Sequence, residues 1–452
     1  MVGAVSADES CCETNDSAIS EKRLLDRRTF LGSVLATVSC LAGERASASL
    51  EFPTRSEQRA MYDKALSIAV EKVRGGPDEP FFRQRFVDAA FSAHIFLWDT
   101  CFIAPYAKYH LDRLPILGAL DNFYMLQDSD GYICREYDRS GQPFWPKDHP
   151  VSINPPLLAF AELEVFAMTR DRARLTRVYP SLLKNFDFLV DRYRMEDGLF
   201  FSDAFGSGMD NINRYPEGWQ DDGKGIPLHQ LHPDVFDYNG LSPKWNRQGR
   251  SVDFSAQMVL LARQLMQIGK LIEKSDHNQR LATIATETSA AINAHCWSEA
   301  DGCYYDLGYG QQIKRAHIGM FWTLWAGVAP RPRQERLIAN LTDPARFWRT
   351  VPVTTMPADS PDFETTGGYW RGAVWAPTNY MVLRGLEACG RNDLARRLAR
   401  AYYSAVAEVY RRTGTFWENY APDAPAPGNP AKRDFCGWSA IAPIALWHEY
   451  IK

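Results

Sequence analysis

The chain has 452 residues, of which 23% are charged and 13% aromatic, and 51 Lys and Arg face 55 Asp and Glu for a formal net charge of −4. That balance excludes the strong basic field with which a protein meets nucleic acid. From about residue 55 onward the apolar and aromatic content also excludes a disordered polymer and supports one large core.

Read from its start, the chain carries Arg27-Arg28-Thr29-Phe30-Leu31, an apolar run from Leu31 to Ala42, and Ala46-Ser47-Ala48. This resembles a twin-arginine export signal cleaved after Ala48, which predicts a removable leader over residues 1–48 and a periplasmic or secreted domain over residues 49–452. The run is too short to be a permanent membrane span. Cys11, Cys12 and Cys40 belong to the leader, and the other six cysteines include no C-x-x-C pair, so neither a zinc knuckle nor a dithiol redox site is indicated. Cys296 and Cys303, on either side of a predicted turn, are the best candidates for a disulfide.

Apolar residues at helical spacing predict twelve helices, at 55–74, 97–110, 112–127, 153–169, 171–194, 251–271, 277–297, 316–328, 331–342, 371–389, 391–412 and 436–450. Strand-like runs are few and short, so the fold class is all-α. Every second helix begins with unusual residues: Trp98-Asp99-Thr100, Asn154-Pro155-Pro156, Val252-Asp253, His317-Ile318-Gly319, Trp370-Arg371-Gly372 and Gly437-Trp438-Ser439. The helices between them begin with plain surface residues. That alternation predicts a ring of helical hairpins with the even helices inside and their decorated starts at one end.

Four of the odd helices are followed by a glycine and aromatic residues, at Gly131, Gly198, Gly302 and Gly414, which predicts short β excursions at that same end. The stretch from about 205 to 250 is rich in Gly, Pro, Asn and Asp and carries Tyr215, Trp219, Tyr238 and Trp245. A loop of that length in a globular domain is usually functional, and here it is expected to be a lid over the ring.

The run Gly367 to Tyr380 reads GGYWRGAVWAPTNY. Rings cover the apolar face of a sugar while a guanidinium fork fixes its oxygens, so Tyr369, Trp370, Arg371 and Trp375 suit a hydroxyl-rich ligand. The same residue types also suit a buried aromatic helix start whose Arg371 is satisfied by a carboxylate. Two acids have the setting that glycosidic hydrolysis asks of a proton donor and its opposite carboxylate. Asp210 follows Gly206-Ser207-Gly208-Met209 and precedes Asn211 and Arg214, while Glu418 sits among Phe416, Trp417 and Tyr420, rings that tend to raise a carboxyl pKa. Elsewhere, His229-x-x-His232 with Asp234, and Asp221-Asp222, lack full metal-ligand spacing and read as loop residues. No phosphate-binding glycine loop and no G-x-S-x-G elbow is present.

Together, Phe96-Leu97-Trp98-Asp99-Thr100, Asn154-Pro155-Pro156, Ser207-Gly208-Met209-Asp210-Asn211, Tyr369-Trp370-Arg371-Gly372 with Trp375, and Glu418-Asn419-Tyr420 followed by Gly437-Trp438-Ser439 resemble the signature set of the (α/α)6-barrel glycosidases. The nearest resemblance is to the mannosylglycerate-hydrolase-like enzymes of the glucosidase I family, glycoside hydrolase family 63, with trehalases a step further away.

The resemblance implies an (α/α)6 barrel of six helical hairpins in which Asp210 is the general acid and Glu418 the general base of an inverting, α-specific hydrolase. It assigns Trp98, Asp99, Asn154, Trp370 and Arg371 to the cleaved sugar and puts Arg135 and Glu136 at the border of the site. Asn211, Tyr369, Trp375, Trp417 and Trp438, from the same motifs, complete the expected sugar-binding set. An inverting pair implies a carboxyl separation of roughly 6.5–9.5 Å. The expected partner is a small carbohydrate, an α-glucoside or α-mannoside of the glycosylglycerate or disaccharide type, with no metal or organic cofactor. The sequence departs from its relatives at Gly206, where they carry Glu, and at Ile212-Asn213-Arg214, where they carry Ser-Pro-Arg; both departures bear on substrate identity. A trehalase, a polysaccharide lyase on a similar toroid and a sugar-binding protein without catalysis are the rival readings.

Overall fold

The second predicted helix has apolar residues on every side, and all eleven residues of Leu97–Ala107 are buried. A helix without a polar face belongs in the interior of a larger assembly. The computed structural model describes residues 50–77, 82–90, 92–147, 150–202, 204–214, 249–435 and 437–452, which belong to one unit, Ser49–Lys452. The expected leader, the rings Tyr215, Trp219, Tyr238 and Trp245, and Asp221, Asp222, His229, His232 and Asp234 lie outside the described residues.

In chain order the helices are α1 (Arg55–Glu71), α2 (Leu97–Ala107), α3 (Ile116–Met125), α4 (Leu158–Thr169), α5 (Arg172–Tyr193), α6 (Val252–Leu271) and α7 (Asn278–Ala291). They continue with α8 (Trp322–Trp325, entered through a 3-10 turn at Ile318–Phe321), α9 (Arg331–Thr342), α10 (Ala376–Ala388), α11 (Asn392–Thr413) and a wide-turned α12 (Ala442–Ile451, entered through Ser439–Ile441). Helix α2 packs on α4, α4 on α6, α6 on α8, α8 on α10, and α10 on the turn leading to α12, which returns to α2. The even helices therefore close an inner ring. The odd helices pack outside it, α5 and α11 showing the polar outer face and apolar inner stripe of that position. The fold is the expected (α/α)6 barrel.

Local chemistry accounts for the ends of these elements. Thr54 and Glu57 form a reciprocal capping box at the start of α1, Asp171 caps α5, and Gly414 ends α11 in the left-handed conformation. Besides α8 and α12, which are entered through 3-10 turns, three helices begin later than predicted, at Ile116, Leu158 and Ala376. Each delay follows a proline or a glycine turn: Pro115, then Pro155-Pro156, then the reversal through Gly367, Gly368 and Gly372. Of the expected β excursions, the one at Gly302 is a two-residue ribbon, Trp297–Ser298 against Cys303–Tyr304, followed by Leu307–Gly308 against Gln311–Gln312, while those at Gly198 and Gly414 are single bridges, Arg194 with Phe200 and Trp417 with Arg433.

That first ribbon also corrects the disulfide expectation. Cys296 and Cys303 are both buried free thiols. The register puts Ser298 opposite Cys303, so Cys296 is its diagonal neighbour, and diagonal pairs stand about 7–8 Å apart. A disulfide spans a Cα separation of roughly 4.4–6.8 Å.

At the end of the ring away from the decorated starts, Lys108, Glu164, Arg384 and Glu449 meet from the C-terminal parts of α2, α4, α10 and α12. Lys108 Nζ donates to Glu164 and Glu449 at 2.6 Å each, Arg384 donates to Glu164 at 2.7 Å, and the Tyr380 hydroxyl donates to Glu164 at 3.2 Å. Two cations match two anions and plug that end, Lys108 and Glu164 buried and Arg384 and Glu449 partly so. Lys108→Met leaves Glu164 and Glu449 facing each other out of water with one cation fewer, and is expected to cost about 3 kcal/mol of stability in a denaturant titration; a loss below about 0.5 kcal/mol contradicts the plug. No helix among the described residues is long and apolar enough to cross a membrane.

Candidate active site

At the decorated end the inner helix starts surround a cavity of about 300 Å³, the lower end of the size range for small-molecule pockets. It is lined by aromatic side chains with a few charged groups: Trp98, Asp99, Arg135, Glu136, Asn154, Asp210, Tyr369, Trp370, Glu418 and Trp438, all expected from the sequence, together with Phe96, Phe144, Trp145, Phe205, Lys432 and Phe435.

Each wall has a local cause. Ile95–Phe96 pairs antiparallel with Glu136–Tyr137, and the chain passes straight from that strand into α2. Trp98 and Asp99, in the first turn of α2, are thereby set beside Arg135 and Glu136. Both oxygens of Glu136 are engaged, one by His94 Nδ1 at 2.7 Å and the other by the Trp145 indole N–H at 2.8 Å. Arg135 donates to the Phe205 carbonyl, lies over the Trp145 ring at 5.4 Å, and brings Nη2 to 3.6 Å from Asp210 Oδ1. Its own N–H donates to Ser152 O at 2.8 Å, which draws the Asn154 segment alongside.

The loop carrying Asp210 is a run of tight turns, in which the Gly208 N–H donates to Phe205 O at 2.9 Å and the Ser207 hydroxyl to Ala204 O at 2.6 Å. Gly208 has φ +79°, and a Cβ there would meet the Trp98 ring at 3.2 Å. The missing side chain lets the acid's loop lie directly on the indole. Asn211 does not line the cavity. Its amide donates to Gly368 O at 2.9 Å and its Oδ1 accepts the Trp370 N–H at 2.7 Å, bracing the loop of Asp210 against the glycine turn.

That turn differs from the expected helix start. Gly367, Gly368, Tyr369 and Gly372 all have positive φ, Tyr369 at +65°, a backbone state that costs a tyrosine energy and that is concentrated at functional sites. Here it turns the phenol toward Glu418, with the hydroxyl 3.4 Å from Oε1. Trp375 lies flat beneath Trp370, ring centroids 3.9 Å apart and planes 3° from parallel, and its N–H donates to Tyr369 O at 3.0 Å. It supports the cavity wall from below. Arg371 is partly exposed and paired with Glu364, outside the cavity; this is the carboxylate-satisfied arginine of the alternative reading. Trp417 also stands outside, its N–H donating to Thr413 at 3.2 Å.

Glu418 is 5% exposed. Its Oε2 accepts the Lys432 N–H at 3.1 Å, and the Trp438 indole donates to its carbonyl at 2.9 Å. Burial pushes its carboxyl pKa up, opposed by Lys432 and reinforced by the charge of Asp210. Asp99, fully enclosed, is pushed up to about 8, first by burial and then by Glu418. Asp99 therefore keeps its proton to higher pH than an ordinary aspartate, while at Glu418 the rise caused by burial is held back by Lys432. Lys432 has no local mark in the sequence because it reaches the site only through the backbone pairing of its loop with Glu418, whose N–H donates to Lys432 O at 3.0 Å. Among the described residues no group of three or more His, Cys, Asp or Glu side chains could hold a metal.

Comparison with known proteins agrees with this geometry. A family model described as the mannosylglycerate hydrolase MGH1-like glycoside hydrolase domain matches residues 92–439. The mannosyl-oligosaccharide glucosidase of Saccharomyces cerevisiae is 23% identical over 435 residues, covering 76% of this chain and 48% of its own. The mannosylglycerate hydrolase of Rubrobacter radiotolerans is 32% identical over 162 residues, 34% of each chain. The chain thus spans half or less of the length of these curated relatives. Among solved structures, the family 63 mannosylglycerate hydrolase of Thermus thermophilus superposes with a TM-score of 0.68 at 20% identity, covering 86% of this chain and all of the other. With a family model covering most of its length, an (α/α)6 barrel and paired acids at one cavity, the chain belongs to the mannosylglycerate hydrolase MGH1-like family of glycoside hydrolases.

Proposed function

We propose that the protein is an exported, inverting α-glycoside hydrolase that releases one glucosyl or mannosyl unit from a small substrate. The observation that carries this reading is that Asp210 and Glu418, from two loops far apart in sequence, line one cavity with unlike surroundings. Asp210 is partly exposed beside Arg135, and Glu418 is buried against Tyr369 and the Lys432 N–H. Asp210 gives its proton to the glycosidic oxygen as the C1–O bond breaks. Glu418 takes a proton from the water that attacks C1 from the opposite face. Trp98, Trp370 and Trp438 enclose the sugar ring, and Asp99 and Asn154 meet its hydroxyls.

Arg135 and Lys432 also line the cavity, and two cations favour a leaving group that bears a carboxylate, as in glucosylglycerate or mannosylglycerate, over the uncharged second glucose of trehalose. The purified protein, screened against glucosylglycerate, mannosylglycerate, trehalose and short α-glucans, is expected to prefer a glycosylglycerate. Proton NMR of the first minutes of hydrolysis is expected to show the β-sugar first. Initial release of the α-sugar means retention and removes these roles from Asp210 and Glu418.

Export is assigned to Arg27 and Arg28. Replacing both with Lys is expected to stop processing and leave the full-length chain in the cytoplasm, as followed by immunoblot of cell fractions; undiminished export contradicts the twin-arginine route.

A further inference from the structure

Four residues beyond Asp210 the chain buries a guanidinium. Arg214 is 1% exposed, and its Nε and Nη2 donate to Asp306 at 2.8 and 3.0 Å while its Nη1 and Nη2 donate to Asp253 at 3.2 and 2.8 Å. Each carboxylate is itself fixed. The Val252 N–H donates to Asp306 Oδ1 at 2.8 Å and the Phe254 N–H to Asp253 Oδ1 at 2.8 Å. The Gly319 N–H donates to His317 Nδ1 at 3.1 Å, so the imidazole proton is on Nε2, which donates to Asp306 Oδ2 at 3.1 Å.

None of these four side chains lines the cavity. A buried ionic cluster adds little to stability that apolar packing would not supply. What it does supply is position, because a planar fork held by two carboxylates fixes a residue in distance and angle alike. Asp253 belongs to the first turn of α6, and His317 caps the 3-10 turn that leads into α8. Residue 214 is thereby tied to two inner helix starts. Between Asp210 and Arg214, Asn211 is tied to Gly368 and Trp370.

We propose that Arg214, held by Asp253 and Asp306, is a positioning residue for the general acid, setting where the Asp210 carboxyl stands relative to the glycosidic oxygen. The inference rests on the reading of Asp210 as that acid. A proton donor displaced by about 1 Å loses on the order of a hundredfold in rate, and the loss falls on substrates whose leaving group needs the proton.

The test compares two substrates in Arg214→Lys and Asp253→Asn: the preferred natural α-glycoside and the matching α-glycosyl fluoride, whose departing fluoride needs little protonation. For Arg214→Lys, kcat on the natural glycoside is expected to fall about a hundredfold with KM nearly unchanged, while the fluoride loses less than about fivefold. Asp253→Asn keeps the shape of the cluster and guards against a misfolded Arg214 variant; it is expected to show the same selective loss at smaller size. Equal losses on both substrates in a variant with wild-type circular dichroism, or no loss, overturn the proposal. Asp210→Asn in parallel separates the two readings. If it abolishes turnover of the natural glycoside while Arg214→Lys and Asp253→Asn keep the wild-type ratio of the two substrates, the positioning role alone falls. If it retains that turnover, the acid assignment falls and the positioning role with it.

Discussion

Asp210→Asn is expected to lower kcat on an alkyl or sugar α-glycoside by about a thousandfold, within the range that general acid catalysis contributes, with KM little changed. The amide keeps the shape of the carboxyl beside Arg135, whose Nη2 stands 3.6 Å from Oδ1, and so leaves substrate binding in place. It has no acidic proton to give the departing oxygen. An aryl glycoside with a strongly acidic phenol leaves without that proton and is expected to lose far less. Steady-state kinetics on the two substrate classes checks this, and an equal loss on both would mean that Asp210 serves binding or folding instead.

The second large effect belongs to Glu418. Glu418→Gln is expected to reduce kcat by about 10³-fold on every substrate, aryl glycosides included, because activation of the water does not depend on the leaving group. Azide, a small nucleophile that needs no base, is expected to restore part of the rate with an aryl glycoside and to give a β-glycosyl azide; an α-glycosyl azide would assign Glu418 to the other face. The same residue is expected to set the acid limb of the pH profile. A base works only when charged, and Glu418 titrates above the ordinary glutamate value of 4.5 because it is buried. Activity is therefore expected to fall away, as pH drops, at a higher pH than an exposed glutamate would give. Lys432 holds that pKa down, so Lys432→Gln is expected to move the limb of kcat/KM to still higher pH; a limb that stays in place or moves lower removes Lys432 from this role.

How much of this was legible in the residues follows from how each signal is encoded. The twelve helices, their alternation and the motif residues at their starts are local: periodicity and short motifs reveal them, and the inner helices are apolar all round because they touch neighbours on every side. Asp210 and Glu418 were legible as a pair because glycines precede one and rings surround the other. The rings Phe416, Trp417 and Tyr420 beside Glu418 in the sequence led to the expectation of a raised carboxyl, and burial in the fold raises it.

Other assignments depended on how the chain folds around each residue. Arg371, Asn211, Trp375 and Trp417 have the residue types of a sugar site, yet the fold gives Arg371 to Glu364, uses both ends of the Asn211 amide on backbone at 368 and 370, and sets Trp375 beneath Trp370. Lys432 and Phe205 lack any local mark and reach the cavity only because their loops pair with or fold onto the site. The left-handed Tyr369 and the burial of Arg214 between Asp253 and Asp306 belong to the same class. By itself the sequence determined the barrel and the family and singled out two candidate acids, since helical periodicity and short motifs are properties of neighbours in the chain. Only the tertiary structure decided which polar side chains face the cavity and which are used up in holding the walls, because a hydrogen-bonding group is committed by whichever partner folding brings within about 3 Å, and residue types in a motif do not name that partner, whether it is seven residues away, as Glu364 is from Arg371, or 157, as Gly368 is from Asn211.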